Sequence, residues 1–286
     1  MRFLCLHGLG TNSQILESQL DPIRSRLPSS YKFEFLDGDE PTNPFPDIAA
    51  AYPGPYLCYY DGPTPAAVQA AADAVLDVVS EDGPFDVVLG FSSGASLAAT
   101  ILAAAAERRP AGPPPFKAAV FVCAIVPYRL GSGPLRIDYD PASPSAGHVA
   151  RARRCDVPET GDGGCDYDIW RDPEAAPIAA ELAERSRLKR GSFADGLQTW
   201  SADFLLAYHP SVHGAHAITV PTVHVVGQSD VTFGDQSRTL AELCSPRGRK
   251  VVTHAGGHHF PRDAATTDRV AAAIEAMVER VVMGLA

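Results

Sequence analysis

The chain has 286 residues, 45% of them hydrophobic and 20% charged, which is ordinary globular composition with enough apolar material for a substantial core. A net charge of −10 excludes a general binder of nucleic acid or of anionic membrane, because both need a basic surface. No apolar run approaches the roughly 18–20 residues of a membrane span, and the opening MRFLCLHGLG holds too few apolar residues for a secretory signal, so the chain is expected to be cytoplasmic.

Short apolar runs alternate with amphipathic stretches, the signature of α/β architecture with a mostly parallel central sheet and crossover helices. Arg2–Leu6 reads as a buried strand ending at His7-Gly8. Thr11 or Asn12 can cap a helix to about Leu20, with Asp21-Pro22 kinking it and Pro28 stopping it. Lys32–Leu36 alternates like a strand. The Pro- and Gly-rich stretch 40–63 reads as loop over the top of the sheet. Thr64 as N-cap with Pro65 behind it starts a helix over 66–79.

A buried strand is expected at 85–89, a small-residue helix at 93–106 and a central strand at 118–126. Segments 222–226 and 250–253 read as the last two strands, and Ala264–Val282 as a C-terminal amphipathic helix. Between 127 and 217 the pattern breaks down into Pro, Gly, Asp and Arg, followed by a charged helix near 174–189. We read 127–217 as a cap inserted in one 286-residue domain. The cysteines are scattered; reduced thiols suit a reducing compartment, and whether Cys155 and Cys165 pair stays open.

The chemistry is carried by four loops, each following an apolar strand. Gly90-Phe91-Ser92-Ser93-Gly94 lies between a strand and a helix, the context of a nucleophile elbow. Such a turn is tight and strained at the serine, so its neighbours must be small. His7-Gly8-Leu9-Gly10 closes the first strand and is expected to supply one oxyanion-hole N–H at Leu9, the other coming from Ser93. Asp230 lies just past the strand end in VHVVGQSD, where an acid can reach the far nitrogen of a histidine; Asp235 is its rival. His258, in HAGGHHFP, is expected as the base, with His259 and His254 as competitors.

The order Ser…Asp…His, each on a post-strand loop, joins these motifs into one reading: Ser92 nucleophile, Asp230 acid, His258 base. His209, His213 and His216 cluster, but no cysteine or paired carboxylate accompanies them, so no metal is expected. Neither a phosphate loop nor a dinucleotide fingerprint occurs, so no organic cofactor is expected.

With LCLHGLGTNSQI, VVLGFSSGASLAA, VHVVGQSD and HAGGHHFP in hand, the chain resembles the fungal FSH-type serine hydrolases. The resemblance covers about 1–126 and 217–286 and not the middle. It implies the α/β-hydrolase fold and the same Ser92, Asp230 and His258. That family often carries Gln after its serine; Ser93 here keeps the backbone donor and changes the pocket lining. The resemblance implies hydrolysis of an ester or thioester, including release of an acyl or polyketide chain from a synthase carrier domain in fungal secondary metabolism. A general short-chain carboxylesterase and a non-hydrolytic binding protein or cyclase on the same scaffold are the alternatives.

Overall fold

The computed structural model describes residues 1–60, 64–130, 135–139, 149–154, 200–204, 207–208 and 210–285. Its chain order is β1 (Arg2–Leu6), α1 (Ser13–Arg24), β2 (Lys32–Leu36), β3 (Glu40–Pro41), α2 (Pro46–Ala51), β4 (Leu57–Cys58), α3 (Pro65–Asp82), β5 (Val87–Phe91), α4 (Ser93–Arg108) and β6 (Ala118–Val122). There follow β7 (Leu135–Tyr139), β8 (Val149–Arg154), β9 (Trp200–Phe204), α5 (Pro210–His213), β10 (Thr222–Gly227), α6 (Gly234–Leu243), β11 (Arg249–His254) and α7 (Ala264–Val282).

Six strands form one sheet in the order β11-β10-β6-β5-β1-β2, and every neighbouring pair is parallel. Parallel neighbours need crossovers, and helices cover both faces as a result. Side chains alternate across the sheet: Phe3, Cys5, Val87 and Leu89 pack with α1 and α7, whereas Leu4, Leu6, Val88 and Phe121 pack with α3 and α4. Helix α4 is buried from Gly94 to Ala104, mostly as Ala, Ser and Thr, so it lies close against the strands.

Local boundaries differ from the sequence reading in instructive ways. Helix α1, capped by Asn12 Oδ1 accepting from the Ile15 N–H at 2.8 Å, continues through Pro22 to Arg24. Pro22 sits in the last turn, where few later bonds depend on it, and the buried Ile23 anchors that turn. Stretch 40–63 is more than loop: Glu40 pairs with Cys58 and Pro41 with Leu57 in an antiparallel ribbon around α2. Strand β5 starts two residues later than expected and runs straight into the elbow at Phe91.

The segment between β6 and β10 contains a three-stranded antiparallel sheet, β8-β7-β9. Its stem is built by an antiparallel bridge of Tyr128 with Ala207 and by the Tyr208 N–H donating to Pro127 C=O at 2.9 Å. Helix α5 follows this stem and precedes β10. The helix expected at 174–189 and the Cys155–Cys165 question lie outside the described residues. Among the described residues no helix is long and apolar enough to cross a membrane.

Candidate active site

The candidate site lies at the carboxyl ends of β5, β10 and β11, the edge of a parallel sheet where loops converge on ligands. Ser92 has φ 53° and ψ −117°, a left-handed conformation that a side-chain-bearing residue adopts only under constraint. The constraint is visible on both sides. A Cβ on Gly90 would sit 2.4 Å from Ala95 Cα, and one on Gly94 would sit 2.4 Å from the carbonyl oxygens of Leu6 and His7. Only hydrogen at both positions lets the strand turn sharply into α4 beneath β1.

Backbone hydrogen bonds stitch the loops together beyond the strand ends. Ser92 N–H donates to Val122 C=O at 3.0 Å, Cys123 N–H to Val225 C=O at 2.9 Å, and Gln228 N–H to His254 C=O at 2.8 Å. Ser229 N–H then donates to Gly256 C=O at 3.0 Å, and Ser229 Oγ to Ala255 C=O at 2.8 Å. Gly227 permits this approach, since a Cβ there would lie 2.2 Å from Gly257 O.

Ser92 Oγ donates to His258 Nε2 at 2.8 Å, and His258 Nδ1 donates to Asp230 Oδ2 at 2.7 Å. The other carboxylate oxygen, Oδ1, accepts from the N–H groups of Phe233 at 2.9 Å and Thr232 at 3.2 Å. Burial pushes the Asp230 carboxyl upward, but these amides and His258 outweigh it and hold it below the ordinary aspartate value. Phe91 and Phe233 flank the imidazole, with ring centroids 5.5 and 4.9 Å away.

The rivals are placed elsewhere. Asp235 is fully exposed and pairs with Arg238 at 2.8 Å. His259 Nδ1 donates to its neighbour Phe260 C=O at 2.7 Å, and His254 Nδ1 accepts from the Gly256 N–H at 3.2 Å. His213 and His216 follow the insertion stem, while His209 lies outside the described residues.

Leu9 and Ser93 flank the elbow as well. A Cβ on Gly8 would come within 3.3 Å of Ser92 Cβ, so the HGLG turn runs along the serine. Ser93 is the first residue of α4, so its N–H has no intrahelical acceptor. The turn is braced from behind by His7, its own first residue, and by Tyr59, which carries no sequence signal. His7 is buried; its Nε2 accepts from the Gly38 N–H at 3.0 Å, so the proton sits on Nδ1, which donates to Gly8 C=O at 2.8 Å. Burial lowers the His7 pKa and favours that neutral tautomer. Tyr59 OH bridges the His7 N–H and Leu36 C=O at 2.9 and 2.8 Å.

Cys123 is a buried thiol at the end of the central strand. It follows β6 with φ 45°, and its Sγ–H donates to His259 C=O at 3.4 Å, beneath the His258 loop. Sγ and the ligating atoms of Asp230 and His258 lie within 4.8 Å of one another, a donor set that a soft metal ion could use. Burial, then the Asp230 charge, push the thiol up to about 12, and both His258 nitrogens are already engaged, so the set fits a hydrogen-bonded relay better than a metal.

A parallel sheet in this order, with a serine on a left-handed elbow and a histidine and an aspartate on loops after later strands, defines an α/β-hydrolase. Residues 1–270 match the serine hydrolase (FSH1) family, and the chain belongs to it. It is 33% identical to Esterase FPY3 of Fusarium mangiferae, over 99% of this chain and 100% of that protein. It is 32% identical to Hydrolase FUB4 of Fusarium oxysporum f. sp. lycopersici, over 92% of each chain. With Esterase alnB of Emericella nidulans it shares 30% identity over 96% of this chain and 95% of that one. The chain is thus a serine hydrolase whose relatives are fungal esterases and hydrolases.

Proposed function

We propose that the chain cleaves an ester or thioester by two-step acyl transfer, with Ser92, His258 and Asp230 as the catalytic triad. The observation that carries this reading is the continuous chain of hydrogen bonds, 2.8 and 2.7 Å long, from the strained serine to the buried aspartate. His258 takes the proton from Ser92 Oγ as the oxygen attacks the acyl carbonyl, and returns it to the departing alcohol or thiol. Asp230, kept ionised by two backbone N–H groups, fixes the tautomer that leaves Nε2 free to accept. The N–H groups of Leu9 and Ser93 hold the oxyanion, helped by the positive end of α4. Water, deprotonated by His258, then releases the acid.

The proposed substrate is an acyl or polyketide chain on a carrier domain, the insertion at 127–217 acting as a cap over it within one domain, in the cytoplasm. Support comes from the fungal esterases and hydrolases among the relatives. The direct test compares turnover of carrier-bound acyl thioesters with that of short-chain aryl esters, using wild type and Ser92→Ala. Faster carrier turnover that disappears with Ser92 supports the reading; equal or better turnover of simple esters leaves a general carboxylesterase. Fluorophosphonate labelling of wild type and not of Ser92→Ala reports the activated serine itself. A fluorescent fusion found outside the cytosol would overturn the assigned compartment.

A further inference from the structure

On the far side of the sheet edge from the elbow strand, β11 and α7 enclose an open groove of about 620 Å³. In a chain of net charge −10, its lining carries Arg247, Arg249, Lys250, Arg269 and Arg280 and no carboxylate. Among the described residues none of these five forms an ion pair with an acid. Arg269 and Arg280 donate instead to the Thr253 and Leu285 carbonyls, and the Arg280 Nε is buried without an acceptor.

The floor between the two arginines is cut low by sequence. Ala272, Ala273 and Ala276 occupy the same face of α7 as Arg269 and Arg280, leaving a small-residue shelf roughly 16 Å long at ~1.5 Å per residue. The opposite wall is an edge strand. Gly248 and His254 carbonyls accept bonds from the β10 side, so by alternation Arg249 and Val251 turn their N–H and C=O groups outward. Val251 is 43% exposed there.

We propose that this groove docks an extended acidic segment of another protein, added to β11 as a further strand of about five residues at ~3.3 Å each, with its carboxylates on the flanking cations. A second copy of this chain is disfavoured as occupant, since pairing β11 with itself would oppose like charges. The concave shelf suits a chain lying in it better than a flat lipid surface. The inference is independent of the hydrolase mechanism, because none of these residues belongs to the relay at Ser92.

The test is fluorescence polarisation with a labelled peptide alternating Glu and Val, against the same peptide with Lys for Glu and a version N-methylated at alternate amides. The acidic peptide should bind saturably at low salt and at least tenfold more weakly at high salt; the other two should bind at least tenfold more weakly. Arg247→Glu/Lys250→Glu should weaken it at least tenfold while aryl-ester turnover is unchanged; Ala276→Glu, which obstructs the shelf by a different route, should do the same. Absence of saturable binding, or binding unaltered in both variants, overturns the proposal. So does tighter association with vesicles containing phosphatidylserine or with duplex DNA than with the peptide.

Discussion

Around Ser92 each loop is tied to its neighbour by main-chain hydrogen bonds that extend the sheet beyond its strands, from Ser92 to Val122, Cys123 to Val225, and Gln228 to His254. Among the described residues, the two arms of the insertion are joined to each other by the Tyr128–Ala207 bridge and the Tyr208–Pro127 hydrogen bond, and are tied to α4 through Thr100 and Glu107. The first arrangement carries the sheet's main-chain bonding into the loops around Ser92; the second ties two arms of a segment to each other and to α4. On the proposed function, chemistry resides in the body and selection of substrate in the insertion.

The largest effect belongs to the relay. Ser92→Ala should lower kcat by about 10⁴–10⁶ with the fold intact by circular dichroism, since the nucleophile has no substitute. His258→Gln should fall nearly as far, whereas His259→Gln should stay within several-fold of wild type because its ring Nδ1 donates to Phe260 C=O and not to the relay. Equal losses at both histidines would break the division of roles. Asp230→Asn should cost on the order of 10⁴ in kcat by presenting the wrong tautomer. Because Asp230 is held below its ordinary value, its ionised contribution to stability is complete above about pH 3.9 and is lost as pH falls through the depressed folded value. Thermal scans of wild type and Asp230→Asn should therefore converge only at that acid extreme, with a gap at neutral pH.

Excising the insertion probes the other side. Replacing 130–205 by a four-residue Gly/Ser linker is sterically feasible because Tyr128 and Ala207 are already bridged. Turnover of a short aryl ester should remain within about tenfold, while turnover of a long-chain or carrier-bound substrate collapses. Loss of both would place catalytic contributions in the insertion and erase the contrast.

The same contrast governs what could be read from sequence. Elements whose hydrophobic pattern repeats over several turns were legible almost to the residue: Ala264–Val282 and the N-cap pair Thr64-Pro65 stand as expected. The elbow was legible because steric need leaves a local mark, glycines two residues either side of a serine. His258 and His259 were not separable locally; the tight turn in which the His259 N–H donates to Gly257 C=O aims one ring at Ser92 and the other away. The β3–β4 ribbon escaped notice because two-residue strands have no periodicity. Strands β7–β9 escaped because they are short and lie in a stretch dominated by Pro, Gly, Asp and Arg, which hides the brief alternation in LRIDY and WSADF. Cys123 gave no signal at all: its left-handed backbone and its bond under the His258 loop are products of tertiary context.

That bond predicts a smaller effect within the body. Cys123→Ala should reduce kcat several-fold with KM unchanged, through looser placement of His258, and Cys123→Ser, which keeps a donor, should recover most of it. An alanine variant equal to wild type in kcat would make the thiol a packing group only.

The smallest effect is expected at the stem. Glu107 on α4 receives Arg129 at 2.8 Å and the Tyr208 hydroxyl at 2.7 Å, one from each arm of the insertion. Burial would raise its carboxyl, but these two partners outweigh it and hold it below the ordinary glutamate value. With a depressed folded pKa, the link is at full strength above about pH 4.3 and weakens as pH falls through the folded value. Partly exposed pairs of this kind contribute roughly 1 kcal/mol or less, so Glu107→Gln should move Tm by no more than ~2–4 °C. Limited proteolysis gives the sharper reading: cleavage within the insertion should accelerate in Glu107→Gln at neutral pH, and in wild type only below about pH 4, while fragments from the body appear at an unchanged rate. Parallel acceleration of both sets of fragments would mean that the stem and the sheet that carries Ser92 unfold as one unit.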